Sequence, residues 1–237
     1  MRRPPAAITW FARLVIPLAL LGAAAPVSAA PIPAPPPHIA PPLFQLGPSK
    51  PPPSLVFAYH GFQVDASGAR RQQSPDKTVR MIKAQIDLVE QVGLKPEVIT
   101  YLRTVPVLAD PAKDTGKAIE SSRYLRGRGV MLKVKRLNAK KPILLSGLLQ
   151  AYQDQKLPGG LANPEITRFR NEAAARRVWP KTALMLQSDA DYFALTGAVY
   201  LYGAITREPY TRANLRQSQP QYYRWLADLF DDGHARV

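Results

Sequence analysis

The chemistry open to this chain comes from a short inventory. Its 237 residues hold no cysteine and three histidines, His38, His60 and His234. Lack of cysteine excludes disulfides, thiol nucleophiles, thiolate zinc sites and a cysteine-borne lipid anchor. His38 lies among prolines and His234 among the last residues, so no histidine-rich metal site can be assembled. There is no Gly-x-Ser-x-Gly elbow. RGRG at Arg126 to Gly129 lacks the lysine and spacing of a phosphate loop. Two stretches keep polar residues at informative spacing. In KPILLSGLLQAYQDQKLPGG (Lys141 to Gly160), Ser146 and Gln150 stand four apart, on one face of a helix, with Gly147 beside them. In SDADYFALTGAVYLYGAI (Ser188 to Ile205), Ser188 and Asp191 have the spacing of a helix capping box, which makes Asp191 a cap first and a ligand second.

The elements that must position these residues follow from pattern. Leu145, Leu148, Leu149, Ala151 and Tyr152 share one side of a helix over Ile143 to Lys156; Ser146, Gly147, Gln150, Gln153 and Asp154 share the other. Pro158-Gly159-Gly160 stops it. Asn163-Pro164-Glu165 opens a further helix reaching about Val178, with Arg168, Arg170, Arg176 and Arg177 as a basic face. Ser188 to Ile205 is apolar nearly all round, so it predicts a buried helix. Pro220 begins a last helix with Tyr222, Tyr223, Leu226 and Phe230 on one side.

The N-terminal half reads as strands around one helix. LVFAYHGFQV predicts a single strand that packs His60 inside it. Ser74-Pro75-Asp76 caps a helix carrying Val79, Ile82, Ile86 and Val89, ended by Gly93. A turn or brief helix and a strand near Val105 to Leu108 follow, then a polar loop from Asp110 to Tyr124. GVMLKVKRL (Gly129 to Leu137) alternates apolar and basic residues as an edge strand would; its lysines either guard that edge or line a groove for an acidic ligand.

LLSGLLQAYQDQKLPGG resembles the active-site helix of zincin metallopeptidases, in particular the anthrax-lethal-factor-like group of secreted bacterial proteins. That group carries a pattern close to Leu-Leu-His-Glu-Leu-Leu-His-Ala-Tyr-His. The resemblance extends over roughly Ile82 to Phe230. It places Ser146 at the first zinc histidine, Gly147 at the catalytic glutamate and Gln150 at the second histidine. It places Asp191, ahead of Tyr192-Phe193-Ala194-Leu195-Thr196, where a glutamate supplies the third ligand, and it aims Tyr210 into the cleft to stabilise an oxyanion. It implies a zincin-like α+β domain, a small sheet with a helix-rich C-terminal half. The scaffold residues are kept and the chemical ones replaced: hydroxyl and amide are poor zinc ligands, and Gly147 offers no base. Asp191 is a weak metal candidate; with Tyr192 and Tyr210 it marks the candidate cleft, which Gly147 would widen.

Residues 1–30 read as a secretory signal, with Arg2 and Arg3, an apolar run from Leu14 to Ala25 and small residues at Val27-Ser28-Ala29. Residues 31–53 hold eleven of the 25 prolines and read as an extended linker. The domain is expected over 54–233, with a tail at 234–237. Removing Arg2, Arg3 and Arg13 from 32 basic residues leaves 29 against 17 acidic, a net charge of +12. That charge suits solubility or anionic partners and gives no support to specific nucleic-acid recognition. The expectation is an exported protein, periplasmic or extracellular. It has no transmembrane helix in the mature form and is catalytically inactive, without cofactor, binding a peptide or cell-envelope partner. The alternatives are a zinc-dependent peptidase using Gln150, Asp191 and His60, and a basic binder of anionic polymers.

Overall fold

A computed structural model describes residues 53–112 and 121–236. The signal segment, the linker up to its last residue and most of the polar loop lie outside the described residues. Among the described residues, five strands form one mixed sheet: β1 (Val56–Tyr59), β2 (Phe62–Asp65), β3 (Val107–Ala109), β4 (Ser122–Leu125) and β5 (Gly129–Leu132). Their order is β1-β2-β3-β5-β4. The central neighbours β2, β3 and β5 run parallel, and each outer strand pairs antiparallel with its neighbour. Among the described residues, seven α-helices accompany the sheet: α1 (Pro75–Gln91), α2 (Pro96–Thr104), α3 (Ile143–Lys156), α4 (Pro164–Ala175), α5 (Asp189–Tyr202), α6 (Arg212–Ser218) and α7 (Pro220–Asp231). The fold is α+β, with the helices concentrated after β5. Among the described residues no helix is long and apolar enough to cross a membrane.

Two strand expectations are corrected. LVFAYHGFQV is a hairpin, not one strand. His60 and Gly61 turn it with φ +47° and +84°, the two left-handed residues of a tight hairpin turn. His60 is therefore at an exposed turn, 3.5 Å from an Asp87 carboxylate oxygen, and is not packed in the core. GVMLKVKRL supplies an interior strand, not an edge. Gly129 to Leu132 lies between β3 and β4 and is buried throughout, and the chain leaves the sheet at Lys133 for a 3-10 turn over Val134–Arg136. The edge is β4, in a region read as loop. Its outward neighbour in the sheet is absent among the described residues.

α3 lies between the sheet and α5, touching β4 and β5 on one side and α5 on the other. Leu144, Leu145, Leu148, Leu149 and Ala151 are all 0% exposed. A fully buried leucine is worth roughly 1.5–3 kcal/mol, so this helix is a main contributor to the core. Both flanks are fitted closely. A Cβ on Gly147 would sit 2.5 Å from Val130 Cγ1, and one on Gly197 of α5 would sit 3.1 Å from Leu149 Cδ1. Proline and glycine bound α3 where the sequence places them, with Gly159 at φ +76°. Asn163 Oδ1 accepts from Ile166 N at 3.0 Å and starts α4. The basic face of α4 is largely paired, Arg168 to Glu165 at 2.7 Å and Arg170 to Asp189 at 2.6 Å. Arg236, expected in a tail, bonds the Gly93 carbonyl and the Asp231 carboxylate at 2.7 Å each, so it belongs to the folded unit.

Candidate ligand-binding groove

The N-terminal half of α3 opens onto a groove of about 940 Å³. Ser146 and Gln150 line it from α3, Asp191, Ala194 and Leu195 from α5, and Ser121 and Ser122 from β4 and its approach. The loop between β5 and α3 forms the rim, with Lys135, Lys140 and Lys141 exposed on it. Arg136 and Arg207 also line the groove, and among the described residues Asp191 is the one acidic residue that does.

The rim loop is held by a residue the sequence reading passed over. Gln85 of α1 is 0% exposed. Its Nε2 donates to the carbonyls of Asn138 at 2.6 Å and Lys141 at 2.9 Å, and its Oε1 accepts from Leu144 N at 3.0 Å. One amide thus satisfies two loop carbonyls and one orphan amide in the first turn of α3. The available signal was a glutamine three residues after Ile82 and four before Val89, inside the apolar stripe.

At the groove floor, four groups form a hydrogen-bonded chain. Tyr124 N of β4 donates to Gln150 Oε1 at 3.1 Å. Gln150 Nε2 faces Asp191 Oδ1 at 3.4 Å, a long contact. Asp191 Oδ2 accepts from Ser188 Oγ at 2.7 Å, and Ser188 Oγ accepts from Asp191 N at 3.0 Å. Ser188 is thus the cap of α5, as the spacing implies. Burial pushes the Asp191 carboxyl above its ordinary 3.8, with the Ser188 hydroxyl pulling the other way. No cation lies within ion-pair distance of it among the described residues. Antiparallel pairing explains why Tyr124 N is available. Lys133 N donates to Ser121 O, so Ser121, Arg123 and Leu125 face β5 while Ser122 and Tyr124 face the open edge.

The sequence-predicted site residues are only partly brought together. Ser146, Gln150 and Asp191 share the groove. Ser146 Oγ donates back to the Pro142 carbonyl at 3.3 Å, with no base beside it. Gly147 is buried against Val130 and Ser122, so it opens no space; it is the point where helix and sheet approach, which corrects the expectation of a widened cleft. Tyr192 is 0% exposed and donates to Gln219 Oε1 at 2.7 Å, away from the groove lining. Tyr210 is 45% exposed, donates to Glu208 at 3.0 Å and does not line the groove. His60 does not line it either.

This donor set does not fit zinc. Gln150 Oε1, the one amide oxygen turned to the floor, already accepts from Tyr124 N, and a single carboxylate completes no tetrahedral site. Among the described residues no group of three His, Cys, Asp or Glu could hold a metal ion. No step through zinc is derived. Compared with known proteins, the chain matches no family model, no curated protein and no solved structure.

Proposed function

We propose that this chain is an exported, catalytically inactive zincin-like protein that holds an acidic peptide in the groove beside α3. The observation that carries the reading is the rim: Lys135, Lys140 and Lys141 project from one loop, and none pairs with an acid among the described residues. Unpaired cations over a concave surface attract anionic ligands and speed their capture. A peptide is favoured over a polysaccharide because Ser122, on the outward side of edge strand β4, also lines the groove. Backbone groups at a strand edge recognise an extended peptide.

Lining side chains offer no nucleophile with a base. Ser146 donates to a backbone carbonyl and the Gln150 amide bridges Tyr124 N to Asp191. The alternative peptidase set of Gln150, Asp191 and His60 is disfavoured by the place of His60 in the β1–β2 turn, against Asp87.

The test is calorimetric titration of the purified chain with a short glutamate-rich peptide and its glutamine counterpart, at low and high salt. The acidic peptide binds, salt weakens it, and neither peptide is cut when zinc is added. An anionic polysaccharide that competes as well as the peptide would move the reading to a general binder of anionic polymers. Cleavage of the peptide would overturn it.

A further inference from the structure

The groove carries both signs of charge, and they are segregated. Cations stand on the rim; Asp191, the single carboxylate lining the groove among the described residues, is on the floor. An anionic ligand explains the lysines and leaves Asp191 unexplained, because a half-buried carboxylate repels the ligand the rim attracts. Its present partners do not compensate it. Ser188 is a neutral hydroxyl, and the Gln150 amide nitrogen is 3.4 Å from Oδ1. A carboxylate taken from water without a cation carries a desolvation cost that a ligand cation would relieve. Asp191 is not needed to close the α5 cap, since that bond runs from its own backbone N–H to Ser188 Oγ.

Resting on the acidic-peptide reading, we propose that the groove recognises a zwitterionic ligand, an acidic peptide that also presents a primary ammonium group to Asp191 Oδ1. The ammonium enters beside the Gln150 amide while the ligand's carboxylates reach Lys135, Lys140 and Lys141. The Gln150 carboxamide is the positioning group: its oxygen is fixed by Tyr124 N, which turns its nitrogen toward Asp191 and keeps that carboxylate aimed at the floor of the groove. An ammonium supplies three N–H donors, enough to satisfy Asp191 Oδ1 and Ser146 Oγ together. Either a peptide's amino terminus or a lysine side chain provides this group.

The experiment uses glutamate-rich peptides in three forms: free amino terminus, acetylated amino terminus, and acetylated with one internal lysine. The glutamates start at the second, third or fourth residue, and titrations run at a pH of about 6.5, where an α-amino group is charged. The free form binds the wild-type chain about tenfold or more tightly than the acetylated form, in line with the cost of removing one partner of a desolvated ion pair. Recovery by the internal lysine assigns the ammonium to a side chain. Asp191→Asn abolishes the difference between forms and leaves the salt sensitivity, and its thermal midpoint reports whether it is folded. If that variant does not fold, the three peptide forms on wild-type protein decide alone. Equal binding of all three forms, the internal-lysine peptide included, at every glutamate position would overturn the proposal and leave the acidic-peptide reading standing. Failure of every form to bind would overturn both.

Discussion

Two carboxylates meet α3 about one turn apart, Asp154 on the helix itself and Asp191 at Gln150, and they are treated in opposite ways. Near the C-terminal end, Asp154 has a side chain that is 0% exposed and is fully clasped. Arg126 bonds both its oxygens, Tyr124 Oη donates at 3.0 Å and Gln155 Nε2 at 2.9 Å. One turn earlier, at Gln150, Asp191 reaches the helix from α5 and meets neutral groups only among the described residues. The Arg126 guanidinium lowers the Asp154 carboxyl below its ordinary 3.8, against burial, while burial raises that of Asp191. A carboxylate enclosed by donors serves structure. One left with neutral partners at the floor of a groove keeps bonding capacity for something that arrives.

The comparison can be broken at several strengths. The strongest test puts a charge where helix and sheet touch. Gly147→Glu must push aside the Val130 side chain and bury an unpaired carboxylate, so it should cost about 4 kcal/mol or more, read as loss of the cooperative urea transition. Gly147→Ala should cost about 1–3 kcal/mol, because Val130 is branched, buried and stiff. A neutral result for Gly147→Ala would mean that α3 stands off the sheet.

Next comes the clasp. Asp154→Ala strands the Tyr124 hydroxyl and an Arg126 that is 70% exposed; discounting that solvent screening, the loss should be about 1–2 kcal/mol in urea denaturation. Asp191→Asn should change stability by less than about 1 kcal/mol, in the stabilising direction at neutral pH, because it removes a desolvated charge.

Acid titration separates the pair by sign. Asp154 has a depressed folded-state pKa, so its contribution is present above the unfolded value of 3.8 and disappears as pH falls through the folded value. Asp191 has a raised one, so its ionisation costs stability above the folded value, and the cost is relieved as pH falls toward 3.8. Urea midpoints across the acid range should lose the lower limb in Asp154→Asn and the upper limb in Asp191→Asn. The smallest stability effect belongs to the rim. Lys135→Gln, Lys140→Gln and Lys141→Gln should each leave stability within about 0.5 kcal/mol while weakening acidic-peptide binding.

Local rules made the helices of the C-terminal half legible. The leucine stripe, the Pro158-Gly159-Gly160 stop and the Asn163 cap put α3 and the start of α4 where they are. The α5 cap came from the same grammar. The sheet was harder. His60-Gly61 is a two-residue turn whose signal is weaker than Asn-Gly, and it hid inside an apolar run. Whether Gly129 to Leu132 is interior or edge depends on β4, a short strand with one exposed and three half-buried residues, too brief to show alternation. α6, a short helix capped by Thr211, carries too little apolar pattern to announce itself. At the groove, Ser146, Gln150 and Asp191 were found because helical spacing and a capping box are local. Of the rim lysines only Lys135 lay in the run read as edge guard or groove lining, and strand order removes the edge reading; Lys140 and Lys141 carried no local pattern. Gln85 was missed because its partners are 53–59 residues away in sequence.

That last separation has a consequence for how the groove breathes. The first turn of a helix is ordinarily where backbone amides exchange fastest with solvent, having no partner within the helix. Leu144 sits in that turn, yet its amide is bonded to a glutamine with no exposed surface on another helix. Its deuterium uptake therefore requires α1 to part from α3, and the mouth of the groove keeps time with the core beneath it rather than with the loops around it.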